Sequence, residues 1–272
     1  MATNGRRDSL RFRSLHSVRR QICTPTTVIL IADSCAISHE EVEELMALFG
    51  ETEFVLLQNR RTAGAAGAWN TGLGYLLSAG FGGFVALLDD DDEWDEDHLA
   101  VNLGVALESS ASVVISGLRL KVDGVLSERP LPRNLSERMF LTGNPGWQGS
   151  NTFVAMRALT AVGGFRDGMP SANDRDLALR LLRWPEVHVA YTHKWTATWH
   201  LSSARQALSS PCSATKLRGL RWFWNLYGQE LSHAESEEFF TRADALFGFG
   251  RDEILAGSTD HPPHRELRGD LL

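Results

Sequence analysis

Four consecutive carboxylates follow an apolar run near the middle of the first half of the chain. Residues 84–88, Phe-Val-Ala-Leu-Leu, run directly into Asp89, Asp90, Asp91 and Asp92. The apolar run favours a buried strand, and open α/β sheets bind ligands at the carboxyl ends of their strands. Adjacent aspartates repel one another unless a cation or solvent neutralises them, and Mg²⁺ and Mn²⁺ prefer oxygen ligands. The pattern favours a divalent cation bound together with phosphates, and a solvated acidic loop is the alternative.

A second group of acidic residues lies in the second half of the chain. Residues 174–183 begin with Asp174 and carry leucines on one side, which predicts an amphipathic helix. Asp176 and Arg180 are four residues apart on that helix, where opposite charges form pairs. We therefore interpret Asp176 and Arg180 as a structural ion pair.

Apolar periodicity alternates between strands and helices in the first half. It predicts strands at 27–31, 54–57 and 84–88, with helices at 10–22, 38–49 and 95–108 and one that ends near residue 78. This alternation implies an α/β fold with a mostly parallel sheet sandwiched by helices. The second half predicts further strands at 113–120, 152–156 and 187–199, followed by a helical C-terminal segment at 215–247.

Composition excludes several classes of protein. With 272 residues, 43% hydrophobic and 22% charged, the chain is ordinary for a soluble globular protein, and the net charge of −7 argues against nucleic-acid binding. Three cysteines without a metal or disulfide spacing suit the cytoplasm. No apolar run reaches membrane-spanning length, so we expect any membrane contact to be peripheral. The arginines at 6–20 predict a solvated helix face or, less directly, an anion contact.

Four segments, in their order and spacing, resemble the family 2 glycosyltransferases from about Thr3 to His200. They are residues 31–34, residues 59–72, the aspartates 89–91, which are similar to the family's DXD motif, and Gly163-Gly164-Phe165 followed by residues 173–180. The resemblance implies a GT-A fold. It also implies metal-dependent transfer of a sugar, with inversion, from a nucleotide-diphosphate donor to an acceptor hydroxyl or amine.

The resemblance places the donor against the first half of the chain. Asp33 would read the nucleotide base, and because its carboxylate can accept the imide N–H of uracil or thymine, UDP or dTDP is favoured. The alternative for Asp33 is to cap the following turn. Asn70 would line the nucleotide pocket, Asp89 would contact the ribose, and Asp90 would also bind the donor.

The resemblance also implies metal and acceptor residues. Asp91 would bind Mg²⁺ or Mn²⁺, and His200 would be a further metal or diphosphate ligand, with a structural histidine as the alternative. Asp174 would be the base that takes the acceptor's proton. Asn173 and Trp147 would contact the acceptor, where Trp147 either stacks on a sugar ring or is a buried structural residue. The acceptor is not identified, and a homodimer is left open.

The ends of the chain and two positions depart from the family pattern. Trp69 stands where many relatives carry Arg, and Asn173 stands where relatives often carry Glu. Almost nothing precedes Thr3, so we expect that the family's first strand is absent or that the protein starts upstream of Met1. Two other functions remain open, a nucleotidyltransferase and a catalytically silent nucleotide-sugar-binding subunit. We expect a main domain at 1–205, a helical extension at 206–257 and a disordered tail at 258–272.

Overall fold

Nine strands form two hydrogen-bonded sheets in the part of the chain that the computed structural model describes, residues 1–201 and 211–256. The first sheet is parallel, in the order β1 (Ala2–Thr3), β2 (Thr27–Ala32) and β3 (Glu53–Gln58). The central strand β2 is β-branched and largely buried, as a strand covered on both faces requires. The predicted tail and the predicted boundary near residue 205 lie outside the described residues.

The strand that was expected to be absent is present as two residues. Ala2 and Thr3 pair in parallel with Ile31 and Ala32 of β2, and an isolated parallel bridge joins Ala2 to Asp89. β1 therefore lies between β2 and the start of the aspartate run, and it links the first sheet to the second. Of the two alternatives, the absence of this strand is wrong, because Ala2 and Thr3 pair with β2. The structure does not test the other.

The second sheet is mixed, in contrast to the mostly parallel sheet that was predicted. Its strands are β4 (Phe84–Ala86), β5 (Glu93–Trp94), β6 (Val113–Val122), β7 (Val125–Glu128), β8 (Thr152–Ala155) and β9 (Val189–Leu201). Their order is β4-β8-β6-β9-β5, and β7 pairs with β6 outside this order. Four of the five pairings are antiparallel, and only β6 and β9 run parallel.

A tight hairpin turn folds β6 back onto β7. Asp123 and Gly124 in this turn both have positive φ, as such turns require.

Helices cover both faces of these sheets, which confirms the predicted α/β class. The capping box that Ser38 and Glu41 predict is formed at the start of α3. The predicted helix at 10–22 contains a π-helical turn, Leu10–Ser14, and the predicted segment at 215–247 is broken at the 3₁₀ turn Gly228–Glu230. In chain order the helices are α1 (Arg7–Ser9), α2 (Leu15–Arg19), α3 (His39–Phe49), α4 (Ala65–Ser78), α5 (His98–Ser109), α6 (Glu137–Thr142), α7 (Met156–Ala161), α8 (Asn173–Leu182), α9 (Ala214–Tyr227), α10 (His233–Phe247) and α11 (Arg251–Leu255).

Alternating side chains of the second sheet enter two separate cores. Val113 and Ile115 of β6 pack in one core with α8, α9 and α10, while Val114 between them packs in the other with α2 and α5. This alternation is what a strand covered on both faces produces. The C-terminal helices complete the first core, where Phe223 and Phe239 are almost fully buried. None of the described helices is long and apolar enough to cross a membrane.

Candidate active site

A cavity of about 990 Å³ lies where β1, β2 and β4 end and α8 begins. Its wall therefore combines residues from both halves of the chain, at the sheet edge where α/β folds bind ligands. Two of the nine predicted site residues, Asn70 and Trp147, do not line it. The other seven do, and they are Asp33, Asp89, Asp90, Asp91, Asn173, Asp174 and His200.

Two of the four aspartates in the acidic loop, residues 89–92, are buried and held by hydrogen bonds. Asp90 is 4% exposed and accepts the Thr3 hydroxyl at 2.7 Å and the Arg6 guanidinium at 2.8 Å. Asp92 is 1% exposed and accepts the Ser150 hydroxyl at 2.5 Å and the backbone N–H of His200 at 3.0 Å. Burial, with the neighbouring charge of Asp91, raises the pKa of Asp92 to about 7. These two residues fasten the loop to β1 and β9.

The other two aspartates of the loop, Asp89 and Asp91, open onto the cavity. Within the described residues no hydrogen bond reaches the Asp89 carboxylate, whereas Asp91 accepts one from Arg6 at 2.6 Å. Burial raises the pKa of Asp89 well above its usual range, and the charges of the other loop aspartates and of Asp174 raise it further. Negative charge at Asp89 is therefore destabilised, which is the condition under which a bound cation is most favoured.

The acidic loop has the donor atoms of a magnesium or manganese site without a complete set of ligands. Within residues 1–201 and 211–256, no group of three His, Cys, Asp or Glu side chains is placed so that it could hold a metal by itself. Mg²⁺, however, usually binds through one or two carboxylates together with phosphates and water. Asp89 and Asp91 offer such carboxylates at the cavity wall, so the residues present fit a divalent cation that binds along with a phosphate group.

His200 lines the cavity, but its ring is engaged by Glu93. The His200 Nε2 lies 2.9 Å from the Glu93 carboxylate, and the histidine side chain is 12% exposed. This hydrogen bond is the main reason that the pKa of Glu93 is lowered. A carboxylate partner of this kind fixes a histidine ring in one orientation, as in many metal sites. The ligand role of His200 stays a prediction.

Asp33 organises the loop between β3 and α4. Its two carboxylate oxygens accept the Asn59 amide at 2.6 Å and the backbone N–H of Gly64 at 2.8 Å. Gly64 has φ +120°, and a side chain on Gly67 would collide with the Thr62 carbonyl, so glycine is required at both positions. Asp33 thus holds this loop, which is not the following turn that the capping alternative named. Its carboxylate still lines the cavity and keeps further lone pairs for a ligand.

The structure contradicts a direct nucleotide contact by Asn70. Its side chain is fully buried, and its amide donates to the Phe165 carbonyl at 2.8 Å and to Asp167 at 2.5 Å. The Asn70 oxygen in turn accepts the Phe165 backbone N–H at 2.8 Å. Asn70 therefore fastens α4 to the Gly-Gly-Phe turn, and the predicted pocket residue is a structural one.

Trp147 is likewise a core residue in place of the predicted acceptor contact. It is fully buried and packs edge-on against Phe140, with ring centroids 5.8 Å apart. A ring in this position cannot stack on a sugar, so the structural alternative is the one observed. The sequence could not separate the two because an aromatic residue in a loop fits both.

The start of α8 brings Asn173 and Asp174 to the cavity. Ala172 before them adopts the left-handed conformation, φ +64°, which is strained for a non-glycine residue and often marks functional sites. Burial raises the pKa of Asp174, against the opposing effects of its own backbone N–H and of Lys216. Asn173 is 6% exposed, and its Oδ1 has no hydrogen-bond partner in the described part of the protein. Both side chains are therefore available to a ligand.

Asp176, two residues further on, is a structural residue as predicted. It is fully buried and accepts hydrogen bonds from Arg166 at 3.1 Å, from Arg180 at 2.6 Å and from the Tyr227 hydroxyl at 2.7 Å. Burial alone would raise the pKa of Asp176, but the two arginines and the tyrosine together lower it. The charge of Asp176 is thus fully compensated inside the protein.

Polar side chains that were not predicted as site residues also line the cavity, and three of them are Arg6, Trp69 and Ser171. Arg6 was assigned to a solvated helix face, yet it lies across Asp90 and Asp91. Trp69 and Ser171 line the cavity with side-chain donors, Nε1 and Oγ, that find no partner among the described residues. The sequence hinted at the Trp69 donor only through the departure at this position, where many relatives carry Arg. No sequence pattern indicated Ser171.

Two solved structures that are similar in fold to this chain share little sequence identity with it. One is Staphylococcus aureus TarS 1–349 in complex with UDP-GlcNAc, with 15% identity, a TM-score of 0.60, and coverage of 89% of this chain and 71% of TarS 1–349. Another is the mannosyltransferase PcManGT from Pyrobaculum calidifontis in complex with GDP-Man and Mn²⁺, with 15% identity, a TM-score of 0.60, and coverage of 94% and 71%. These likenesses confirm the GT-A-like fold. No curated protein sequence matches the chain significantly.

The comparison with protein families shows family membership, whereas the structural likeness shows only the fold. The model of the family described as "Glycosyl transferase family 2" matches residues 7–178, which is more than half of the chain. The matched segment contains the acidic loop and the start of α8, the two places that bring carboxylates to the cavity. The protein is therefore a glycosyltransferase, and it belongs to glycosyl transferase family 2.

Proposed function

We propose that the protein transfers a sugar from a nucleotide-diphosphate donor to an acceptor hydroxyl or amine, with a divalent metal and with inversion of the anomeric carbon. The observation that carries the proposal is that the acidic loop and α8, distant in the chain, bring Asp89, Asp91 and Asp174 to one cavity. Each of them lacks the full set of internal partners that the neighbouring aspartates have. Carboxylates left open in this way are candidates for binding and catalysis.

The donor is proposed to bind across the first sheet, between Asp33 and the acidic loop. TarS has been solved with UDP-GlcNAc and PcManGT with GDP-Man, so proteins of this fold hold nucleotide sugars of different bases. In this chain Asp33 is proposed to accept the imide N–H of a uracil or thymine, which favours UDP or dTDP. Asp89 is proposed to contact the ribose, with Asp90 holding the loop behind it.

Asp91, with Asp89 beside it, is proposed to hold Mg²⁺ or Mn²⁺. When bound, such a cation neutralises the negative charge that develops on a departing diphosphate. Arg6 donates to Oδ2 of Asp91, and in the described residues the other carboxylate oxygen, Oδ1, accepts no hydrogen bond and could contact a cation. Asp92 supports the site from behind, because it holds the backbone of His200 and the hydroxyl of Ser150.

Asp174 is proposed to act as the general base. It takes the proton from the acceptor oxygen or nitrogen while that atom forms a bond to the anomeric carbon. The bond from the anomeric carbon to the diphosphate breaks on the opposite side, and the nucleoside diphosphate leaves with the electron pair. Because one displacement with one base is enough, the product is inverted. The raised pKa of Asp174 makes it a better proton acceptor than an ordinary aspartate.

Two measurements test the proposal. Thermal unfolding is recorded with UDP-, dTDP- and GDP-sugars, with and without Mn²⁺, because a ligand that binds only the folded state raises the midpoint. Products of the sugars that bind are then analysed by NMR for anomeric configuration and for the released nucleotide. A retained configuration contradicts the direct displacement, release of pyrophosphate identifies a nucleotidyltransferase, and binding without turnover identifies a silent subunit.

A further inference from the structure

Three cationic side chains converge on the cavity beyond Asp174 without a carboxylate partner. Arg129 follows β7, Lys216 lies in α9 and Arg242 lies in α10, and all three line the cavity wall. In the described residues none of the three makes an ion pair or a side-chain hydrogen bond. The other two cations of the wall differ, because Arg6 pairs with Asp90 and Asp91 and Arg175 donates to backbone carbonyls.

Each of the three cations packs on an aromatic ring or on bare backbone. The Arg129 guanidinium lies 5.9 Å from the Trp199 ring centroid, and the Lys216 Nζ lies 4.0 Å from that of Phe247. The Arg242 guanidinium packs on the backbone at Gly143, where an added Cβ would lie 2.9 Å from its Nε. Rings and bare backbone position positive charge without neutralising it.

The three cations carry positive charge that no ion pair in the described residues neutralises. Burial lowers the pKa of Arg129, and the charge of Arg242 lowers it further. Burial also lowers the pKa of Lys216 to about 8, with the charge of Arg175 adding to the effect. Side chains that repel one another in a half-buried wall are stabilised when an anion binds among them.

Asp174 is close to both groups of charges in the cavity. Its charge acts on Asp89 of the acidic loop and on Lys216 of the cations. A group bound at Lys216 would therefore lie near the proposed base. In a glycosyl transfer the nucleophile reacts beside its base, so a group held there can belong to the acceptor.

We infer that the acceptor carries an anionic group, a phosphate or a carboxylate, that binds between Arg129, Lys216 and Arg242 beside Asp174. The inference rests on the proposed function, since it names the acceptor class of that same site. Arg129 and Arg242 present planar guanidinium groups that match the oxygens of phosphates and carboxylates, and Lys216 adds a point charge. The anionic group orients the acceptor so that its hydroxyl or amine faces Asp174.

Binding of three sugars that differ only at C6, one neutral and two anionic, tests the inference. Glucose, glucuronate and glucose 6-phosphate are titrated into the full chain by calorimetry, in the presence of saturating UDP and Mn²⁺. We expect at least one of the two anions to bind about tenfold or more tightly than glucose, because charge-assisted hydrogen bonds form only with the anions. Glucuronate and glucose 6-phosphate separate a carboxylate from a phosphate acceptor.

Matched variants connect the binding to these side chains. Arg242→Gln and Arg129→Gln are each expected to weaken the anion by about tenfold, whereas UDP affinity stays the same. Arg218→Gln removes an exposed arginine of α9 that does not line the cavity, and it is expected to change neither. Thermal unfolding of each variant shows that it is folded.

Three results would overturn the inference. They are equal binding of all three sugars, exclusion of the anions by UDP with Mn²⁺, and a loss of UDP affinity in Arg242→Gln that matches the loss of anion affinity. The last two would assign the cations to the donor diphosphate. A different result is also distinguishable: the unmodified chain binds the anions but binds no nucleotide. That result would reject the proposed function and retain the anion site.

Discussion

The acidic loop and the start of α8 both place neighbouring carboxylates at the cavity, and each divides them in the same way. In the loop Asp90 and Asp92 are buried and hydrogen-bonded, while Asp89 and Asp91 open onto the cavity. In α8 the buried, fully paired residue is Asp176, and the open one is Asp174 at its first turn.

The difference between the two kinds of carboxylate is in where their charge is compensated. The paired residues have arginine, hydroxyl or backbone donors, so their loss leaves buried donors without an acceptor. Among the open residues, burial raises the pKa of Asp89 and of Asp174, and the carboxylate of Asp91 has Arg6 as its one hydrogen-bond partner in the described residues. Their charge can therefore be compensated further by a bound ligand. We therefore expect substitutions of paired residues to reduce stability and substitutions of open residues to reduce function.

The largest functional effect is expected for Asp174→Asn. The amide keeps the size of the carboxylate but cannot take a proton, so donor turnover falls by about 10²- to 10⁴-fold, the usual contribution of general-base catalysis. Nucleotide binding and the unfolding midpoint should be retained. The measurement is the rate of nucleoside diphosphate release, with nucleotide affinity determined in parallel. Normal turnover in this variant would remove Asp174 from the mechanism.

Asp176→Asn is the matched change at the paired residue, and its effect should appear in stability. Arg166 and Arg180 would keep buried positive charge without its carboxylate, which typically costs about 3–5 kcal/mol. Urea unfolding of this variant and of Asp174→Asn measures the contrast directly. A loss below about 1 kcal/mol, the range of exposed ion pairs, would show that the buried network is not needed for stability.

Asp91→Asn tests the open residue of the acidic loop. Without this carboxylate the Mn²⁺-dependent increase in the unfolding midpoint with nucleotide should disappear, while the midpoint of the unliganded protein changes little. Asp97→Asn is the control, because it removes the same charge outside the cavity wall. A Mn²⁺-dependent shift that survives in Asp91→Asn would move the proposed ligand role to Asp89 or His200.

Local sequence patterns predicted the elements of the fold better than their pairing. The capping box at Ser38 and the amphipathic residues of α8 depend on neighbours within one turn, and both are present. The two-residue strand β1 was missed because two residues give no periodicity. The mixed second sheet was missed because strand direction depends on connections such as the Asp123-Gly124 turn.

In the candidate site, too, residue type could be used for prediction, whereas the environment of a side chain could not. The sequence led to the aspartate run at 89–92 because adjacent carboxylates at the end of a strand repel one another unless a cation or solvent compensates them. Asp174 was predicted from the resemblance to the family. Asn70 and Trp147 were misassigned because an amide or an indole serves equally in a core and in a pocket, and only burial separates the two. Arg129 and Arg242 carried no local pattern, since the fold alone brings them together.

The smallest effect concerns the pH dependence of the cationic side of the cavity. The lowered pKa of Lys216, about 8, means that it loses its charge well before an ordinary lysine. Affinity for glucose 6-phosphate should therefore fall about fourfold from pH 7 to pH 8.5, following the protonated fraction of a group with that pKa. The phosphate itself, with a second pKa of about 6, keeps its charge over this range.

Lys216→Arg sharpens this prediction because arginine stays charged throughout, and its affinity should be nearly constant between pH 7 and pH 8.5. The other charged groups facing Lys216 are Asp174 and Arg175, and the Phe247 ring lies over its Nζ. Arg175, whose pKa burial lowers to about 9, donates to two backbone carbonyls, and a limit of pH 8.5 keeps it mostly charged. Repeating the titration with Asp174→Asn separates any contribution of that carboxylate. An unchanged pH dependence in Lys216→Arg would remove Lys216 from the anion site and leave the two arginines to form it.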